Sequence, residues 1–384
     1  MLASIGDFFA PLYENVTQMF AADATTAWWQ LVTMWFIGGV LIFLAIKKNM
    51  EPSLLLPLGF GAILVNLPGL DGALQNLGFL YDVGVKSKEL LPLILFIGIG
   101  AMIDFGPLLS NPKLMLFGAA AQFGIFFTLL LASVCGFPLK DAASISIIGA
   151  ADGPTSIVVA QKLGSSYLSA IIVAAYSYMA LVPIIQPPVI KLLTTKKERM
   201  IRMPYAPKSV GKTTRILFPI ITTILTGIIA PESVELIGFL MFGNLIRECG
   251  VLDSLSETAQ NVLANLVTIF LGITVAFGMK AAQFLTWQTA LILGLGLVAF
   301  IFDTAGGVLF AKLLNLFMKN KVNPMIGAAG ISAFPMSARI VHKMGLQEDN
   351  QNFLLPHAIG VNVSGQVASV VAGGLVLSLV SGLV

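Results

Sequence analysis

From Trp28 to Ile46 the chain runs without a single charged residue, and apolar stretches of similar length recur almost to its end. A run of about 20 such residues matches the hydrocarbon core of a bilayer when coiled as a helix. Inside lipid every backbone polar group must be satisfied internally, which leaves helices or closed barrels. These runs do not alternate at period two, so they read as helices. Only 11% of the 384 residues are charged, against about 25% in a soluble domain. The expected fold is an all-α integral membrane protein. Cys135 and Cys249 stand alone near the ends of two apolar runs, with no disulfide framework or metal spacing.

Read in order, the chain has about 10 transmembrane helices plus two broken or re-entrant segments. Met1–Phe20 mixes apolar residues with Asp7 and Glu14 and reads as an interfacial helix. The first span, Ala27 to Ile46, closes on Lys47 and Lys48, and Ser53 to Pro68 is short and proline-interrupted. Leu90–Leu109 and Leu114–Cys135 follow, then a broken stretch from Ala142 to Leu163, then Tyr167–Val189. Lys191–Arg215 gathers eight of the 22 basic residues against one acid, Glu198. Such a loop belongs on the cytoplasmic side. Orientation and lipid-headgroup contact account for it without nucleic acid. Beyond it come Ile216–Ala230, Leu236–Leu245, Asn261–Met279 and Thr289–Phe317, a second broken stretch from Asn323 to Met344, and a last span from Phe353.

The two broken stretches carry the functional expectation. Ile148-Gly-Ala-Ala-Asp152-Gly-Pro154 places one carboxylate in a Gly/Pro break, and Ile326-Gly-Ala-Ala329 repeats its start about 178 residues later. Phe96-Ile-Gly-Ile99 and Phe270-Leu-Gly-Ile273 match at about 174. Counting crossings from the basic loop gives the two units opposite orientation, the inverted-repeat plan of a transporter. The expected organisation is scaffold in 1–89, a first repeat in 90–190, the basic loop in 191–215, scaffold again in 216–260 and a second repeat in 261–384.

Asp152 is the leading candidate site residue, because an intramembrane carboxylate is expensive unless it faces water, an ion or a partner. Its oxygen-rich surroundings suit Na⁺ or H⁺, and no His/Cys cluster supports a transition metal. A helix cap beside a proline kink is the alternative. Asp104, beside Gly106-Pro107 near a span end, could cap a helix or bind an ion; Asp303 in a long apolar run and Tyr178 in mid-span could serve either structure or function. Asn323, Ser332, Ser337 and Arg339 set amide, hydroxyl and guanidinium groups along the second break. Arg339 could grip a carboxylate in a bidentate fork or act as counter-ion to Asp152. Asn362, Ser364, Gln366 and Ser369 give the last span neutral ligands, while His342 and His357 lack any nucleophile or metal partner.

Gly149-Ala-Ala-Asp-Gly-Pro-Thr155, Asn323-Pro-Met-Ile-Gly327 with Ser332 and Arg339, Asn362 and the early Glu51-Pro-Ser-Leu-Leu-Leu-Pro57 resemble the beta subunit of the biotin-dependent sodium-pumping decarboxylases. That family acts on oxaloacetate, methylmalonyl-CoA, glutaconyl-CoA or malonate. The resemblance implies a primary Na⁺ pump of the cell (cytoplasmic) membrane, which decarboxylates carboxybiotin supplied in trans and consumes a proton. It implies a biotin carrier subunit, a carboxyltransferase (alpha) subunit and a small membrane subunit as partners, and a homo-oligomer, a trimer in this family. It makes Asp152 the central Na⁺ ligand, with Asn323, Gly327, Ser332, Asn362 and Tyr178 contributing. Ser332 and Tyr178 also serve proton delivery, and Arg339 contacts carboxybiotin. A secondary Na⁺-coupled organic-anion symporter shares the architecture and is the competing expectation.

Overall fold

The computed structural model describes residues 26–48, 52–68, 74–87, 89–204 and 209–383. The expected interfacial helix at Met1–Phe20, with Glu51 and Lys208, lies outside them. Among the described residues there are helices and turns but no strand.

Among the described residues, seven helical stretches are long and apolar enough to cross a bilayer: Trp28–Lys48, Pro112–Val134, Leu168–Leu193, Lys212–Ile229, Asp253–Met279, Trp287–Phe317 and Leu355–Ser381. We label Trp28–Lys48 α1, Pro52–Leu64 α2 and Leu90–Met102 α3. Pro112–Val134 is interrupted at Gln122, giving α4 (Met115–Ala121) and α5 (Phe123–Val134). The first broken segment is α6 (Leu139–Ser146), a 3₁₀ turn (Ile147–Ala150) and α7 (Gly153–Lys162). Then come α8 (Leu168–Leu193), α9 (Lys212–Ile229), α10 (Val234–Glu248), α11 (Ala264–Val275) and α12 (Trp287–Phe317). The second broken segment is α13 (Met325–Ala328) and α14 (Met336–Glu348), and α15 (Leu355–Ser381) closes the chain. The shorter apolar helices α2 and α3 are 13 residues each, about 20 Å at 1.5 Å per residue, too short for a bilayer core.

The helix pairings are reciprocal. As α8 packs on α12, so α15 packs on α4; as α5 meets α6, so α12 meets α13. Likewise α7 touches α8 and α15, while α14 touches α15 and α8. The leading helices α3 and α11 pack on each other, with α1, α2, α9 and α10 outside them. Large apolar side chains such as Phe36, Val134, Ile228 and Leu316 point outward. That is the surface expected of helices solvated by lipid chains.

The first part of the basic loop, residues 194–202, is held by ion pairs. Arg199 pairs with Glu348 at 2.6 Å, Arg202 pairs with Asp349 at 2.5 Å, and Lys312 of α12 pairs with Glu198 at 3.2 Å. These contacts strap residues 194–202 across the ends of α12 and α14.

Candidate functional site

The first break follows from local chemistry. Ala151 adopts a left-handed conformation at φ 52°, and Asp152 is extended at φ −123°. Gly153 and Pro154 then open α7; proline costs nothing in a first turn, where its missing N–H would be unpaired anyway. Asp152 caps that helix, accepting from Thr155 N at 3.4 Å.

Its other oxygen, Oδ2, collects three side chains. The Thr155 hydroxyl donates at 2.7 Å, the Ser369 hydroxyl at 3.0 Å and the Gln366 amide at 3.3 Å. Asp152 is 3% exposed, and among the described residues no Lys or Arg pairs with it. Neutral donors leave its charge uncompensated, which is costly in a low-dielectric interior. Both hydroxyls can turn to present lone pairs instead. A hard monovalent cation therefore fits this donor set.

Asp152 opens onto a cavity of about 180 Å³ lined also by Tyr176, Ser332, Phe334, Gln366, Asn265 and Thr268. One wall is the pair of breaks and the other comes from α2, α3 and α11. The breaks touch directly: Ser332 N donates to Ala150 O at 3.0 Å, and the Ser332 hydroxyl donates to Gly365 O at 3.1 Å. Ala151, Ile331 and Ala333 pack with Val182 and Phe300 at the crossing.

The two final helices clasp opposite breaks. Gln186 of α8 donates to Ala328 O and to the Ser337 hydroxyl, both at 2.7 Å, in the second break. Gln366 of α15 reaches Asp152 in the first.

The structure brings Asp152, Ser332 and Gln366 to one cavity, and Ser369 to the carboxylate behind it. It places others elsewhere. Asn362 donates to Ala329 O at 3.1 Å and Ile331 O at 2.7 Å, leaving its buried Oδ1 without a partner. Gly327 lies in backbone contact with Gly307 of α12, where a Cβ would not fit. Asn323 sits at the strap, donating to Arg199 O and Ile201 O at 2.8 and 2.9 Å and accepting from Met325 N. The Tyr178 hydroxyl donates to Leu293 O on α12, with its ring against Gly296. Arg339 is exposed in the first turn of α14, without an ion pair among the described residues. It is therefore no counter-ion to Asp152. Asp104 accepts from Gly106 N at 2.8 Å, in the turn before the short helix Gly106–Ser110, and pairs with Arg215 at 3.5 Å. His342 lies tilted against Phe353, at 5.9 Å between ring centres.

Sequence reasoning missed Tyr176. Its ring packs on Gly153, its buried hydroxyl has no partner, and it lines the Asp152 cavity. Two tyrosines two residues apart on one helix must face different neighbours, which was the available signal. Nothing in the sequence said which faced the carboxylate.

Comparison with known proteins decides the family. Residues 30–380 match the family described as Na⁺-transporting oxaloacetate decarboxylase beta subunit. The chain belongs to this family. It is 50% identical over 361 residues to the glutaconyl-CoA decarboxylase subunit beta of Acidaminococcus fermentans, covering 92% of this chain and 94% of that one. It is 49% identical to the methylmalonyl-CoA decarboxylase subunit beta of Veillonella parvula, covering 91% and 92%. It is 44% identical to the oxaloacetate decarboxylase beta chain of Klebsiella pneumoniae, covering 90% and 94%. A multi-pass membrane beta subunit of a Na⁺-transporting, multi-subunit decarboxylase is thus what this fold serves.

Proposed function

We propose that this chain decarboxylates carboxybiotin presented by a biotin carrier subunit and exports Na⁺ in the same cycle, consuming a proton. The observation that supports it best is Asp152. A carboxylate with no cationic partner, held by groups from α7 and α15, faces a cavity at the meeting of two broken segments. Na⁺ would be held there by Asp152, with Thr155, Ser369 and Gln366 turned to offer oxygen. Ser332 and the orphaned Tyr176 hydroxyl complete the cavity wall. Asn362, Gly327 and Asn323 act behind it, shaping the second break, and Tyr178 holds α8 to α12.

Arg339 stands one turn beyond Pro335, which lines the same cavity. Its free planar fork suits a carboxylate arriving from outside the bundle. Biotin brings the carboxyl group; this chain orients it and receives the ion. The reciprocal pairings support reading residues 90–190 and 261–384 as an inverted repeat. The positive-inside rule places the strap, and with it the carrier, on the cytoplasmic face of the cell membrane. The carboxyltransferase, the small membrane subunit and a trimeric assembly rest on the family resemblance.

Moving one Na⁺ against 100 mV costs about 2.3 kcal/mol, so transport must be tied to an exergonic step. The test is ²²Na⁺ uptake into inverted vesicles of the purified complex. Uptake should require both decarboxylation and the biotin carrier. Uptake that persists without the carrier, driven by an organic-anion gradient, would replace the pump with a symporter.

A further inference from the structure

Asp303 lies near the middle of α12 and is fully excluded from solvent. Its Oδ1 accepts from Ile125 N at 3.2 Å, and the Gly124 amide also lies against the carboxyl group. These are the first amides of α5, where the helix restarts after Gln122. Its Oδ2 has no hydrogen-bond partner. The elements packed on α12 carry Lys140 and Asp141 on α6 and Tyr176, Tyr178 and Lys191 on α8, and α12 itself carries Lys312. None of these, nor Asp152, is within hydrogen-bond or ion-pair distance of Asp303 among the described residues.

A bare carboxylate in such a place costs several kcal/mol. The α5 amides offset part of that on one oxygen and none on the other. A metal ion would need several oxygens around Oδ2, yet both carboxylate oxygens are walled by glycine backbone. A Cβ on Gly124 would come 2.6 Å from Oδ1, and one on Gly149 would come 2.6 Å from Oδ2. A proton neutralises the group without needing volume. Further buried oxygens without partners, Gln122 Oε1, Thr128 Oγ1 and Thr304 Oγ1, lie on the same helices. We propose that Asp303 is a proton-binding site of the bundle, separate from the cation site at Asp152. The two carboxylates share one segment, since Gly149, which walls Asp303, is three residues before Asp152. Proton binding here does not depend on the decarboxylase reading.

Infrared spectroscopy of the assembled complex in lipid tests this. A protonated-carboxyl C=O band should be present at neutral pH, survive in Asp152→Asn and be lost in Asp303→Asn. A spectrum unchanged by Asp303→Asn would overturn the proposal, leaving Asp303 a charged cap of α5. Should Asp303→Asn fail to assemble, the Asp152→Asn complex labelled with ¹³C at its aspartate carboxyls decides. A labelled acid band that persists there supports Asp303, and its absence overturns it.

Discussion

The backbone N–H of Ser332 donates to the carbonyl of Ala150 at 3.0 Å, tying the second broken segment to the first two residues before Asp152. Any displacement of one break is therefore transmitted to the other. Replacing Ser332 by alanine keeps this tie and removes only the hydroxyl bond to Gly365 O, for a loss of about 1 kcal/mol. Ser332→Pro removes the donor and should abolish Na⁺-dependent decarboxylation. Thermal unfolding and activity measured on both variants separate the two contributions.

Asp152→Asn removes the charge and leaves the shape. Loss of one member of a buried charge pair costs about 2–5 kcal/mol, so Na⁺ affinity should fall by roughly 30-fold or more. The carboxyltransfer half-reaction, carried out by a partner subunit in the proposed scheme, should continue. ²²Na⁺ binding to the purified complex checks the first statement and carboxyl exchange the second; retained pumping would remove Asp152 from the centre.

The two tyrosines of α8 should part company. Tyr176→Phe deletes a hydroxyl that has no protein partner, so stability should hold while the Na⁺ needed for half-maximal activity rises several-fold. Tyr178→Phe breaks its bond to Leu293 O and should cost about 1 kcal/mol of stability, with a smaller effect on Na⁺ dependence. Identical behaviour of the two variants would contradict this division.

Arg339→Lys keeps a positive charge and loses the planar fork. Turnover should fall by at least about tenfold with Na⁺ affinity unchanged. Equal activity would reduce Arg339 to a surface charge.

The strap has an acid limit. The Arg202 guanidinium beside Asp349 holds that carboxyl below its ordinary range. A depressed folded value contributes stability above the unfolded value, and that contribution is lost as pH falls through the folded one. Amide hydrogen exchange across residues 194–202, relative to the intrinsic rate at each pH, should therefore be slow at neutral pH and faster at strongly acid pH. Asp349→Asn should show the fast behaviour already at neutral pH.

Much of this architecture is legible in the residues themselves. Apolar runs of bilayer length mark the spans, and the Gly/Pro break at Asp152 marks the proposed site, because each rests on short-range backbone rules. What is not legible depends on contacts far apart in the chain. Tyr176 and Tyr178 are equivalent by type, and only the packing of α8 against Gly153 and Gly296 separates them. Asn323 has the chemistry of a cation ligand, but its amide is used by the carbonyls of the strap, whose path no local rule fixes. Gln186, a buried amide among prolines, gained meaning only when the second break was found beneath it.

The exchange of glutamines between the two halves has a bearing on how the protein is made. Asp152 receives its Gln366 and Ser369 donors from α15, 214 and 217 residues further along the chain. A chain leaving the ribosome N-terminus first carries an incomplete carboxylate shell until α15 has been made. The Asp152 cluster thus closes only after both halves of the fold have been made. A product truncated before α15 would enter the membrane with its Asp152 cluster unfinished.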